Sequence, residues 1–148
     1  MLIDYQLWLI PFLVMVIAQA LKVVFTRSKT WDWNRLKRFN QYGGMPSSHS
    51  AMVTSLTTVL AYDQGLDSPS FAVALILALI TIRDASGFRL AIGQHGQMIN
   101  KLVKELPDDQ EYKFPVLGEK FGHKNIEVIG GIIFGLICTF ALIQLILN

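Results

Sequence analysis

The chain has 148 residues and a formal net charge of +2, and it is 52% hydrophobic but only 16% charged. Soluble domains carry about 25% charged residues. A domain this small exposes a large surface to water relative to its volume, so it needs more polar residues and not fewer. The composition argues against a disordered chain, a nucleic-acid-coating protein and a disulfide scaffold, the last because Cys138 is the only cysteine. It predicts one integral membrane domain over residues 1–148, in contact with the lipid bilayer and with no nucleic-acid partner.

Four apolar segments predict an all-α fold, a polytopic integral membrane helical bundle of about four transmembrane helices. In chain order the predicted spans are residues 2–25, 48–62, 70–86 and 126–147. The first and last are long enough to cross a hydrocarbon core of about 30 Å. The second is rich in Ser and Thr, so we expect it to lie among other helices. Gly131 and Gly135 in the last span form a G-x-x-x-G step that permits close helix approach, although packing flexibility explains it equally well.

Loop charges predict the orientation of these spans. Residues 22–38 carry six basic side chains and one acidic one, whereas the turn at 63–69 carries two acidic side chains and no basic one. The positive-inside rule places the basic loop in the cytoplasm and the acidic turn outside. The segment 83–125 is expected to return to the cytoplasmic side, and its stretch PDDQEYKFP at 107–115 to form an exposed or mobile linker.

The string GGMPSSHSA at residues 43–51 is the most informative part of the sequence. Pro46 suits the first turn of a helix, and the amides of Ser47, Ser48 and His49 are then expected to lack intrahelical partners. Free amides beside two hydroxyls form an anion site, and His49 could give a proton to a leaving oxygen. An ordinary serine-rich helix cap is an equally good interpretation of this string on its own.

A second group of ionisable residues ends the third apolar segment, where charges usually face a protein interior or a wet cavity. Arg83 fits a snorkelling side chain with Asp84 as a counter-ion. Arg89 lies beyond Gly87 and is the better candidate for a phosphate clamp, because its guanidinium presents a planar fork of donors.

His123 and Glu127 precede the last span and are four residues apart, so they share a face if this segment is helical. A carboxylate bonded to one imidazole nitrogen fixes the tautomer and leaves the other nitrogen as a nucleophile. Glu127 could instead simply favour the positive end of a helix. In the four-span topology the candidate residues all fall at the cytoplasmic ends of different helices: Lys22, Ser47, Ser48, His49, Arg89 and His123.

P-S-S-H-S, D-x-x-G-x-R and G-H-x-x-x-E together resemble motifs of the type-2 phosphatidic acid phosphatase (PAP2) superfamily, and GGMPSSHSA resembles its divergent branch. The resemblance implies a membrane lipid-phosphate phosphatase that hydrolyses a phosphomonoester or pyrophosphate through a phosphohistidine, with no metal and no cofactor. It implies that His123 is the nucleophile, Glu127 its orienting acid and His49 the general acid. The residues implied to bind the phosphate of the substrate are Ser47, Ser48, Arg89 and Lys22.

Departures from the superfamily pattern affect the assignment of Lys22 and of the nucleophile. No Arg-Pro pair follows Lys22, so Arg27 and Lys29 remain rivals for its role. The usual spacing from arginine to histidine selects His95 as the nucleophile, but Ile99 stands where the carboxylate belongs, so we favour His123 and interpret residues 90–122 as an insertion.

Several alternatives therefore stay open from the sequence. The protein could be a non-catalytic membrane protein that binds or transports an anionic lipid or phosphate. Vanadate-dependent halide oxidation is allowed by analogy with the superfamily alone. A homodimer could complete the small bundle. The site is predicted on the cytoplasmic face of the cell membrane, with a periplasmic site as the alternative.

Overall fold

The computed structural model describes residues 4–25, 44–107, 114–118, 123 and 125–147, and these form an all-α structure. Five helices are present among them: α1 (Asp4–Phe25), α2 (Ser48–Gln64), α3 (Pro69–Ser86), α4 (Phe88–Lys104) and α5 (Asn125–Leu147). Helices thus occupy all four segments that were predicted to span the membrane. Most of the predicted basic loop and of the predicted 107–115 linker lies outside the described residues.

Helix α2 lies at the centre and packs against α1, α3 and α5. The core between α1, α2 and α5 is built from Ile10, Val14, Ala18, Ala51, Val59 and Ile143. Because its neighbours cover it, α2 can be polar: Thr57 bonds the carbonyl of Val53 at 2.8 Å, and the hydroxyls of Ser55 and Thr139 lie 2.6 Å apart. The hydroxyl groups of Thr57 and Ser55 are therefore satisfied inside the bundle.

The outer helices are the apolar ones. Within the described residues, three stretches are long and apolar enough to cross a membrane: Tyr5–Lys22, Pro69–Lys104, which contains α3 and α4, and Asn125–Ile146. Large apolar side chains on these helices are exposed, among them Trp8, Val73, Ile76, Ile133 and Ile137. An apolar exterior of this kind is suited to lipid, so the protein is a helical membrane bundle.

Two glycines of α5 allow it to approach α2 closely. A Cβ on Gly131 would lie 2.5 Å from the carbonyl oxygen of Ser47, and one on Gly135 would lie 2.6 Å from that of Ala51. Both distances are too short for any side chain, so the G-x-x-x-G step is a contact surface between these helices. This contact places the first turn of α5 beside the first turn of α2.

The described residues contain one helix beyond the four predicted spans, because α4 lies within the segment interpreted as a return loop and an insertion. Gly87 separates it from α3: the Gly87 amide bonds the carbonyl of Arg83 at 2.9 Å, and a Cβ there would meet that oxygen at 2.8 Å. Helix α3 therefore ends at Ser86, Gly87 caps it, and α4 begins at Phe88. The buried residues of α4 are Gly93, Gly96 and Asn100.

Candidate active site

The start of α2 is built by a buried serine cap. Ser47 is the N-cap, and its Oγ accepts hydrogen bonds from the amide of Ser50 at 3.4 Å and from the hydroxyl of Ser50 at 3.0 Å. The amide of Ser47 donates to the carbonyl of Glu127 at 3.0 Å. One expectation is corrected here: Pro46 precedes the cap and is not in the first turn. The Ser47 amide is bonded to α5 and not to its own helix. The Ser47 hydroxyl is fully buried, so it holds the helix start in place and does not line an open pocket.

The next two residues are the ones that a ligand at this helix end would meet. Ser48 is the first helical residue, and its Oγ lies 3.5 Å from the Nζ of Lys22, which joins the end of α1 to the start of α2. His49 follows and is exposed. The amides of Ser48 and His49 belong to the first turn, where helical geometry provides no acceptor within the helix. Arg27 and Lys29, the rivals of Lys22, lie outside the described residues.

His123 is a buried histidine held by a carboxylate. Its Nδ1 lies 3.0 Å from Oε2 of Glu127, and its backbone amide donates to the carbonyl of Ala85 at 2.9 Å. The other oxygen of Glu127, Oε1, accepts from the amide of Gly44 at 3.1 Å. Only 7% of His123 is exposed. Contacts from α3, from α5 and from the segment before α2 therefore fix the ring.

Gly44 is a site residue that the sequence reasoning missed. Its φ of +92° lies in the left-handed region that favours glycine, so this conformation directs its amide to the Glu127 carboxylate at little steric cost. The pair of glycines before P-S-S-H was the available signal. The sequence could not show that the acceptor lies 83 positions later in the chain.

Arg89 is the second residue of α4 and reaches the site from the junction with α3. Its Nε bonds Oδ2 of Asp84 at 2.6 Å, and both side chains are partly exposed. Asp84 was predicted to be a counter-ion, and the arginine with which it pairs is Arg89. The remaining guanidinium nitrogens of Arg89 are further donors.

Electrostatic interactions connect these groups. Burial lowers the pKa of His123, the hydrogen bond to Glu127 raises it, and the positive charge of Lys22 lowers it, as does that of Arg89. His49 also interacts with the charges of Arg89, Lys22 and His123. The structure therefore brings together the residues predicted to converge at one end of the bundle, Lys22, Ser47, Ser48, His49, Arg89 and His123, with Glu127 bonded to His123.

His95 does not share this environment. It is exposed on α4, whereas His123 is buried and bonded to a carboxylate. Within the part of the chain that the structure describes, no group of three or more His, Cys, Asp or Glu side chains is placed to hold a metal ion. The donors gathered around His123 are lysine, arginine, hydroxyl and helix-terminal amide groups, which suit a phosphate or another oxyanion.

The apolar helical bundle and these converging motifs define a PAP2-like membrane protein. Comparison with known families agrees: the profile of the Divergent PAP2 family matches residues 3–138, and the chain belongs to this family. It is 41% identical over 140 residues to the uncharacterized membrane protein YuiD of Bacillus subtilis (strain 168), a match that covers 86% of this chain and 87% of that protein. No solved structure matches the chain.

Proposed function

We propose that the protein is a lipid-phosphate phosphatase that hydrolyses a phosphomonoester or pyrophosphate through a phosphohistidine. The observation that carries this proposal is the buried His123, whose Nδ1 bonds Glu127 at 3.0 Å while the charges of Lys22 and Arg89 act on the same ring. Such a pair supplies an oriented nucleophile, and the two cations and the helix start supply the donors that a phosphate needs.

The proposed reaction uses the two imidazole rings in turn. Nδ1–H of His123 donates to Glu127, so the lone pair is on Nε2. Nε2 attacks phosphorus and forms a P–N bond as the bond to the leaving oxygen breaks, and His49 gives that oxygen a proton. A water molecule then attacks phosphorus, His49 takes its proton, and the P–N bond breaks to release phosphate and the neutral ring.

We assign phosphate binding to groups at the end of α1 and at the starts of α2 and α4. Lys22, Ser48 and Arg89 would contact the equatorial oxygens, where charge accumulates in the transition state. Ser47 would position Ser48 and His49 through the helix cap. This assignment keeps the predicted substrate-binding residues but changes the role of Ser47 from a contact to a support.

The substrate class follows from the surroundings of the site. The apolar exteriors of α1, α3 and α5 would contact the acyl or prenyl chains of a lipid. The six basic residues between 22 and 38 favour a cytoplasmic site and attract an anionic headgroup. We therefore propose hydrolysis of a lipid phosphate at the cytoplasmic leaflet.

The test is phosphate release by the purified protein in lipid nanodiscs with a chelator present. Phosphatidic acid, a prenyl pyrophosphate and phosphatidylglycerophosphate are assayed in parallel. We expect His123→Ala to lower kcat by at least roughly three orders of magnitude, since it removes the nucleophile. His95→Ala is the matched control and should stay within about two-fold of the parent. Equal losses in both variants, or a strict requirement for a metal, would refute the mechanism.

A second candidate is a protein that binds or transports an anionic lipid or phosphate without hydrolysis. It is favoured by the small exposed fraction of His123, 7%, and by the engagement of Arg89 with Asp84. In that case phosphatidic acid would bind to the nanodisc-embedded protein, no phosphate would be released, and His123→Ala would leave binding nearly unchanged.

A further inference from the structure

Helix α4 has two unlike faces. Phe88, Ile92, Ile99 and Leu102 fall on one side of a helical projection, and between 45% and 70% of each residue is exposed. The polar side chains of the helix lie on the opposite side, Gln97 and Lys104 among them, with the exception of His95, which is exposed within the apolar face. The 17 residues of α4 contain three basic side chains, Arg89, Lys101 and Lys104, and no acidic one. A basic amphipathic helix of this kind is typical of segments that lie on a membrane surface.

The connection to α3 fixes where α4 begins. Helix α3 has 18 residues, which at 1.5 Å per residue is about 27 Å, close to the thickness of a hydrocarbon core. A single residue, Gly87, separates its end from Phe88. The first turn of α4 therefore lies near the membrane–water boundary, at the end of the bundle that carries the candidate active site.

The other side of α4 is covered by the chain itself. The side-chain amide of Asn100 bonds both the amide and the carbonyl of Leu117, each at 2.9 Å. A Cβ on Gly96 would collide with the carbonyl oxygen of Gly118, so segment 114–118 crosses the helix at Gly96 and Asn100. The protein thus covers the face with Gly93, Gly96 and Asn100 and leaves the face with Ile92 and Ile99 exposed.

We propose that α4 lies in the plane of the bilayer, with the Phe88–Ile92–Ile99–Leu102 face in the acyl chains and its lysines among anionic headgroups. The occupant of the face is lipid because the helix starts at the membrane boundary and carries only positive charge, which complements anionic phospholipid. Water is disfavoured as the occupant, since four large apolar side chains on one face would then be hydrated.

The test uses single cysteines in the full chain, with Cys138→Ser as the background. Ile99→Cys reports on the apolar face and Gln97→Cys, on the opposite side of the same helix, is the matched control. Each is labelled with the fluorophore NBD and reconstituted into phosphatidylcholine vesicles with and without phosphatidylglycerol. Quenching is measured with a doxyl-labelled lipid and with aqueous iodide.

We expect the doxyl lipid to quench position 99 about five-fold more strongly than position 97, and iodide to show the reverse order. Replacing both Lys101 and Lys104 with Gln should raise iodide access at position 99 only in vesicles that contain phosphatidylglycerol. Equal iodide access at the two positions would overturn the proposal. So would protection of position 99 from both quenchers, because that result would indicate a second copy of the chain on this face.

Discussion

At the scale of single residues, the titration of His123 governs the proposed reaction. The nucleophile is the neutral ring, so activity falls as pH drops through its pKa. Burial lowers the pKa of His123, and Glu127 opposes that shift. Since the net direction is downward, we expect the acid limb of the kcat/KM profile, which reports protonation of His123, to lie below the pKa of about 6.5 of an ordinary histidine. A profile of kcat/KM against pH checks this expectation.

Glu127 raises the pKa of His123 and, in the proposed reaction, fixes its tautomer. Glu127→Gln separates these two roles. Loss of the negative charge removes a contribution that raises the pKa of His123, so the acid limb should move to lower pH. The plateau of kcat should fall by roughly two to four orders of magnitude, because the ring loses the partner that fixes its tautomer. Glu105→Gln, at an exposed carboxylate beyond α4, is the control and should leave the profile unchanged. An acid limb that moves to higher pH would contradict this interpretation.

Arg89 offers a comparison with a neighbouring arginine. Its Nε bonds Asp84, and in the proposed reaction its remaining nitrogens contact the phosphate. Lysine cannot bond the carboxylate and present a fork to phosphate together. We expect Arg89→Lys to raise KM by roughly 10- to 100-fold, the value of one or more charged hydrogen bonds. Arg83→Lys, at an exposed position in the last turn of α3, should stay within about two-fold. Equal effects of the two substitutions would argue against a phosphate contact by Arg89.

At the scale of helices, the contact between α2 and α5 connects stability with the site. Gly131→Ala would place a methyl group 2.5 Å from the carbonyl oxygen of Ser47, whereas Gly130→Ala meets only the flexible end of Met45. We expect the first substitution to lower the free energy of unfolding by about 1–3 kcal/mol, the range for overpacking, and the second to be nearly neutral. Thermal unfolding in detergent measures both. Equal melting temperatures would show that the two helices can separate without cost.

The helices also show which sequence signals were sufficient to predict a helix. Composition alone predicted α1, α3 and α5, because long apolar runs have few other interpretations. Helix α4 was missed because Phe88, Ile92 and Ile99 are separated by Gly, Gln and His, so the average hydropathy of the segment is near neutral. Gly93 and Gly96 further lower its helix propensity. Both glycines are buried, and the contact of Gly96 with segment 114–118 explains why a side chain is absent there. This contact has no signal in the local sequence.

At the scale of the whole molecule, the sequence was enough to predict that the site residues lie at one end of the bundle. It was not enough to predict which of these residues bond to each other. The four-span topology predicts Lys22, His49, Arg89 and His123 at one end of the bundle. The bond from the Gly44 amide to Glu127 depends on tertiary packing and has no local signal. Asp84 is bonded to Arg89 although Arg83 is its neighbour in the chain. This pairing depends on the break at Gly87, which lies between Asp84 on α3 and Arg89 on α4.

The sidedness of the bundle gives a prediction for the entire chain. The basic loop and the site are expected on the cytoplasmic side, and the acidic turn between α2 and α3 on the other. With Cys138→Ser as the background, Leu66→Cys in that turn, where Leu66 is 72% exposed, should react with a membrane-impermeant maleimide in intact bacterial cells. Arg38→Cys in the basic loop should react only after the membrane is permeabilised. The reverse pattern would place His49 and His123 on the outer face, and the substrate would then be a lipid phosphate of the outer leaflet.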